Sequence, residues 1–109
     1  MKYVKQLVAS IAIVLLSLQQ IEAKVTMPYF ISDNMVLQQQ AKPLIWGWAS
    51  PNTKITVTTS WNNKKQITES AADGKWSIRL ETVAAGGPYT INIFDGEMLT
   101  LKNILLGEV

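Results

Sequence analysis

Residues 43–51 read Pro-Leu-Ile-Trp-Gly-Trp-Ala-Ser-Pro, an apolar run closed at both ends by proline. Proline has no backbone N–H to give to a ladder, so it marks the margins of a paired strand rather than its interior. Between these margins, side chains alternate: Ile45, Gly47 and Ala49 face one way, Leu44, Trp46 and Trp48 the other. Both faces are apolar, which predicts a central strand with something packed on each side. Such a strand needs partners, and the rest of the chain supplies short alternating runs.

The clearest of these is residues 54–60, with Ile55, Val57 and Thr59 on one face and Thr56, Thr58 and Ser60 on the other. Alternating β-branched residues mark a half-buried strand. Trp61-Asn62-Asn63-Lys64 predicts a turn into a polar edge strand over 65–71. Asp73-Gly74 and Asp95-Gly96 are hairpin signals, because glycine takes positive φ without steric cost. The first leads into 75–81, where Trp76, Ile78 and Leu80 point inward. The second separates the inward set Tyr89, Ile91 and Ile93 from Leu99 and Leu101. Residues 31–34 and 50–53 carry turn chemistry, Met35-Val36-Leu37 is a short apolar run, and 84–88 reads as a loop. About seven strands, with turn signals roughly every 8 to 14 residues and no amphipathic helix beyond the N-terminal segment, predict an all-β fold. The expected architecture is a small antiparallel β-sandwich, jelly-roll or immunoglobulin-like, over residues 24–102.

Residues 1–23 read as a secretory signal peptide. Lys2 and Lys5 form a positive n-region, residues 7–18 an apolar h-region, and Ala23 a small residue before the cut. The apolar stretch is shorter than the roughly 20 residues needed to span a bilayer. The chain contains no cysteine, so a lipoprotein signal is excluded and a periplasmic or secreted location is expected, with no membrane contact after signal removal. The absence of cysteine also leaves a small secreted domain without disulfides, so a covalently attached neighbour is expected to contribute to its stability. Ten basic against eight acidic residues, with Lys64-Lys65 the only adjacent basic pair, give no support to nucleic-acid binding.

For chemistry, the exclusions are the strongest statements. The chain has no histidine, so no Ser-His-Asp triad can form within it. Without cysteine or histidine there is no thiol nucleophile and no Cys/His zinc site. Ala85-Gly86-Gly87-Pro88 is the densest glycine cluster, but it lacks the lysine and helix of a phosphate loop and reads as a turn. Asp73 and Asp95 serve their turns, Asp33 belongs to a Ser-Asp-Asn turn in preference to a calcium or sugar site, and Glu69 and Glu81 fall on solvated positions. No two acids have the spacing of a glycosidase pair. No catalytic, metal or cofactor residue is therefore expected. Of the four tryptophans, Trp46 and Trp48 lie about 7 Å apart on one strand face and read as core or interdomain packing. Trp61, in a turn and expected to be exposed, is the candidate for sugar contact.

Five ordered blocks carry a resemblance. They are residues 31–38, Ile-Ser-Asp-Asn-Met-Val-Leu-Gln; residues 43–51; Gly74-Lys75-Trp76; residues 85–89, Ala-Gly-Gly-Pro-Tyr; and residues 101–109, Leu-Lys-Asn-Ile-Leu-Leu-Gly-Glu-Val. Together they resemble the N-terminal region of secreted bacterial sialate O-acetylesterases of the Bacteroidetes type. Asn52, where glycine is usual, and Gln39-Gln40, in place of a charged pair, are the departures. The resemblance implies an SGNH-type hydrolase domain beyond Val109, with a serine nucleophile in a Gly-Gln-Ser-Asn-Met motif that this chain does not contain. Residues 103–109, with their run Ile104-Leu105-Leu106, would be the first strand of that α/β domain. The implied partners are the chain's own C-terminal hydrolase domain and O-acetylated sialic acid or another acetylated glycan. The competing expectation is a stand-alone secreted carbohydrate-binding or adhesive β-sandwich that uses its tryptophans.

Overall fold

The computed structural model describes residues 25–109, so the predicted signal over residues 1–23 lies outside the described part. Seven strands follow in order: β1 (Val36–Gln38), β2 (Leu44–Trp48), β3 (Lys54–Thr59), β4 (Lys64–Glu69), β5 (Lys75–Arg79), β6 (Gly86–Phe94) and β7 (Met98–Gly107). No helix occurs among the described residues, and the fold is all-β. Five strands form one sheet in the order β1-β7-β6-β3-β4, and β2 pairs with β5 in a second.

Both sheets contribute to one core. Ile45 and Trp76 come from the small sheet, and Ile55, Val57, Ile91, Ile93, Leu101 and Ile104 from the large one. Ile55, Val57, Trp76, Ile91, Ile93 and Leu101 are inward positions expected from alternation. Burial of each isoleucine contributes on the order of 1.5–3 kcal/mol relative to leaving it in water. β4 lies at the sheet edge, as its polar sequence implies, and leaves Ile67 exposed. Asp95 and Gly96 close the β6–β7 hairpin, in which Phe94 faces Met98.

The structure corrects four local expectations. First, β2 is not covered on both faces. It belongs to the two-stranded sheet, flanked beyond β5 only by an isolated bridge between Thr26 and Trp48. Ile45 and Gly47 are buried, whereas Leu44 and Trp48 on the other face are exposed. Second, Asp73-Gly74 does not join two paired strands. It turns the chain from β4 in the large sheet to β5 in the small one. Gly74 has φ +85, and a Cβ there would strike the Ala49 carbonyl oxygen, so the corner requires glycine for both reasons. Third, residues 86–88 belong to β6, since Gly86 already pairs with Leu106. Fourth, the large sheet is mixed, because β1 runs parallel to β7 from Val36↔Leu105 to Gln38↔Gly107.

β7 runs from Met98 to Gly107, with an irregularity near Asn103. Asn103 adopts φ 57, and the β6–β7 register shifts nearby, between Tyr89 and Ile91. An extra residue at such an irregularity resets the two-residue alternation. Leu101 and Ile104 therefore both point inward, although three positions apart, followed by Leu106. Of the apolar end of the chain, Ile104 and Leu106 are buried, whereas Leu105 and Val109 are exposed.

Candidate functional site

The acidic residues take structural roles. Asp33 Oδ1 accepts the Lys102 N–H at 2.8 Å, and the Asn34 N–H donates to the Lys102 carbonyl at 2.9 Å, which docks the Ser-Asp-Asn turn onto β7. Asp73 and Asp95 each accept the N–H two residues on, from Lys75 and Glu97, both at 3.0 Å. Glu81 pairs with Lys64 at 3.1 Å on the surface. Among the described residues no group of three His, Cys, Asp or Glu side chains converges as a metal site would require.

The serines are likewise engaged or isolated from any base. Ser70 is buried and its hydroxyl donates to the Ser50 carbonyl at 2.5 Å, tying the end of β4 to the β2–β3 connection. Ser60 Oγ accepts the Thr90 N–H at 2.9 Å. With no histidine in the sequence, no hydroxyl here has the imidazole partner that activates a serine.

Trp61 is half-buried, not open. Its indole N–H donates to the Glu81 carbonyl at 2.8 Å, and its ring meets Tyr89 edge to face at 5.7 Å between centroids. This tether positions the turn after β3 against the β5–β6 connection. The tryptophans with more open surroundings lie elsewhere. On the outer face of β2, Trp46 and Trp48 meet at 5.2 Å, Phe30 meets Trp46 at 6.1 Å, and Tyr29 meets Phe30 at 5.5 Å, all edge to face. The Lys75 ammonium stands 5.3 Å from the centre of the Trp46 ring. Sequence alternation identified the Trp46–Trp48 pair. Nothing local in the sequence announced that Tyr29 and Phe30 would join it, since only the Thr26–Trp48 bridge brings that segment alongside β2.

A second polar cluster holds the end of β7. The Glu108 carboxylate accepts Gln39 Nε2 at 2.6 Å and Gln38 Nε2 at 3.2 Å. Gln38 Oε1 accepts the Val109 N–H, Gln39 Oε1 accepts the Ala85 N–H, and the Gln39 N–H donates to Gly107. The Gln39 bond first, and then that from Gln38, hold the Glu108 carboxyl below the ordinary glutamate range, against a smaller opposing effect of desolvation. The two glutamines thus bind residues 107–109 to the β1–β2 connection.

No family model matches the chain. Over 77% of its length the chain superimposes on the crystal structure of a carbohydrate acetylesterase from Xanthomonas citri, with TM-score 0.72 and 36% sequence identity. The sialate O-acetylesterases of Homo sapiens and Pongo abelii are each 31% identical over 67 residues, 57% of this chain. Its homologues are carbohydrate acetylesterases. The chain spans 13% of the length of the two curated relatives and 19% of the Xanthomonas chain. The all-β unit described above is therefore shared with the Xanthomonas esterase, and the comparison concerns that unit alone.

Proposed function

We propose that this chain is the N-terminal, non-catalytic β-domain of a secreted sialate or related carbohydrate O-acetylesterase. The observation that supports it most directly is the 36% identity with a carbohydrate acetylesterase, carried by 77% of this chain but only 19% of that one. The absence of histidine is consistent with a nucleophile and base supplied by a following hydrolase domain. There a serine would attack the acetyl carbonyl, the sugar hydroxyl would leave, and water would release acetate from the acyl-enzyme. In this reading the Gln38–Glu108–Gln39 cluster fixes the direction in which the polypeptide leaves the β-domain. The tryptophans need no catalytic role. The N-terminal signal would direct the protein to the periplasm or medium.

The test has two arms. The purified chain is incubated with p-nitrophenyl acetate and with O-acetylated sialic acid, and no hydrolysis above buffer is expected; turnover by this chain alone would overturn its non-catalytic role. The protein encoded by the complete locus is expected to release acetate from acetylated sugar and to lose this activity on treatment with a serine-directed inhibitor. A complete protein that leaves acetyl esters intact would overturn the esterase reading. N-terminal sequencing of the exported protein should begin at Lys24.

A further inference from the structure

The sequence carries the dipeptide Asp-Gly twice, at 73–74 and 95–96, and the two copies differ in a way that bears on covalent chemistry. In both, the aspartate makes the same bond: its Oδ1 accepts the N–H two residues on, from Lys75 and from Glu97, at 3.0 Å each. They part at the glycine. Gly74 is buried, its N–H donates to the Ala71 carbonyl at 2.9 Å, and its own carbonyl accepts the Ala49 N–H at 2.8 Å. A Cβ on it would strike the Ala49 carbonyl oxygen, so this corner is closed on every side. Gly96 is exposed, donates its N–H to nothing among the described residues, and has open space where a Cβ would lie.

An aspartate followed by glycine can cyclise, because no side chain shields the glycine nitrogen. That nitrogen attacks Cγ of the aspartate in its neutral carboxyl form. The N–Cγ bond forms, the N–H proton and the carboxyl hydroxyl leave as water, and a five-membered succinimide results. Water then adds back. Entering at Cγ, it restores aspartate. Entering at the α-carbonyl, it breaks the original peptide C–N bond, and the chain then runs through Cβ and Cγ with a free α-carboxylate. One water leaves and one returns, so no oxidant, reductant or other reactant is needed. The reaction requires a nitrogen not committed to a hydrogen bond and a carboxyl free to turn onto it. Gly96 supplies the first. For the second, Asp95 is held only by the bond to the Glu97 N–H, while its Oδ2 is buried without a partner. Turning outward returns that oxygen to water, which offsets part of the lost bond.

We propose that Asp95-Gly96, and not Asp73-Gly74, is a site of isoaspartate formation in the folded protein. At Gly74 the same attack would first have to break the bonds to Ala71 and Ala49. Each such hydrogen bond is worth a factor of a few, so the two together slow the attack about tenfold or more. At Gly96 no comparable bond stands in the way. The product loosens the tip of the β6–β7 hairpin. An extra main-chain carbon enters a turn closed by the Asp95 N–H on the Glu97 carbonyl at 3.2 Å, and the Oδ1 acceptor for the Glu97 N–H is lost. The Phe94–Met98 pair, next to that turn, is the first to lose its support, ahead of Ile93 and Leu99.

The test is to age the purified, folded chain at mildly acidic pH for several weeks and digest it with trypsin. Asp73 and Asp95 then fall in separate peptides, residues 66–75 and 80–102. The aspartyl and isoaspartyl forms have equal mass and separate by chromatography, and labelling by a protein isoaspartyl methyltransferase identifies the second. Peptide 80–102 is expected to accumulate it at least about tenfold faster than 66–75, and the two rates should converge in concentrated urea. Asp95→Glu, whose longer side chain would have to close a six-membered ring, should remove the isoaspartyl form from 80–102, with circular dichroism confirming the fold. Equal rates in the folded chain, a faster rate in 66–75, or product in 80–102 that survives Asp95→Glu would overturn the proposal. So would product in 80–102 that forms in urea but not in the folded chain, since the hairpin would then protect the site.

Discussion

Trp76 and Trp48 occupy neighbouring register positions on the same two-stranded sheet, yet one is 2% exposed and the other 42%. Trp76 faces the large sheet and joins the core with Ile45, whereas Trp48 faces away with Trp46 and Leu44. The large sheet follows a different plan. On β3, buried Ile55 and Val57 alternate with half-buried Thr56 and Thr58, so its polar face is outside. On β2 both faces are apolar, and residue type alone does not say which is inside. What decides is that the small sheet has one neighbour in the described structure, and its outer face has none.

The largest effects should follow the inner face. Trp76→Ala is expected to cost about 3–5 kcal/mol, and Ile91→Ala, at 0% exposure between the sheets, about 2–5 kcal/mol, by chemical denaturation. Trp48→Ala should fall within about 0.5–1 kcal/mol in the same assay. If Trp48→Ala were as damaging as Trp76→Ala, the two faces would not differ in the way their exposure indicates.

Next come the turns that join or fail to join sheets. Gly74→Ala places a Cβ against the Ala49 carbonyl at φ +85, and should cost more than about 1 kcal/mol. Gly96→Ala, in the β6–β7 hairpin, carries φ +119 but meets nothing within 4 Å, so only the backbone penalty remains. Equal losses at the two sites would show that the contact with Ala49 is unimportant. Smallest is the effect at Glu108. Its carboxyl is depressed in the folded state, so its contribution is present above the unfolded value of about 4.3 and lost as pH falls through the folded one. The Gln38 and Gln39 side-chain amide resonances should therefore shift in NMR spectra below about pH 4.3, and Glu108→Gln should remove that shift.

Much of this fold was legible because its signals are local. β3, β5 and β6 alternate over a few residues, and Asp95-Gly96 carries its own hairpin chemistry. Asp73-Gly74 shows the limit: the turn forms as its residues imply, but whether it joins paired strands depends on where β5 finds β2. Residues 103–109 show another: three consecutive apolar residues carry no alternation of their own, and the irregularity at Asn103 decides that Ile104 and Leu106 are buried while Leu105 is exposed. Of the surfaces considered for ligands, Trp61 was sought in the sequence as an exposed ring. Its hydrogen bond to Glu81, twenty residues away, half-buries it. The aromatic group on the outer face of β2 was half visible, as Trp46 and Trp48.

By itself the sequence determined the all-β class and most of the inward positions, because these depend on residue types and on spacings of a few residues. Only the tertiary structure decided which strands share a sheet, that β1 runs parallel to β7, and which face of β2 meets water. Those outcomes are set by hydrogen bonds and burial between segments far apart in the chain. An apolar residue carries no local mark of whether its partner is present.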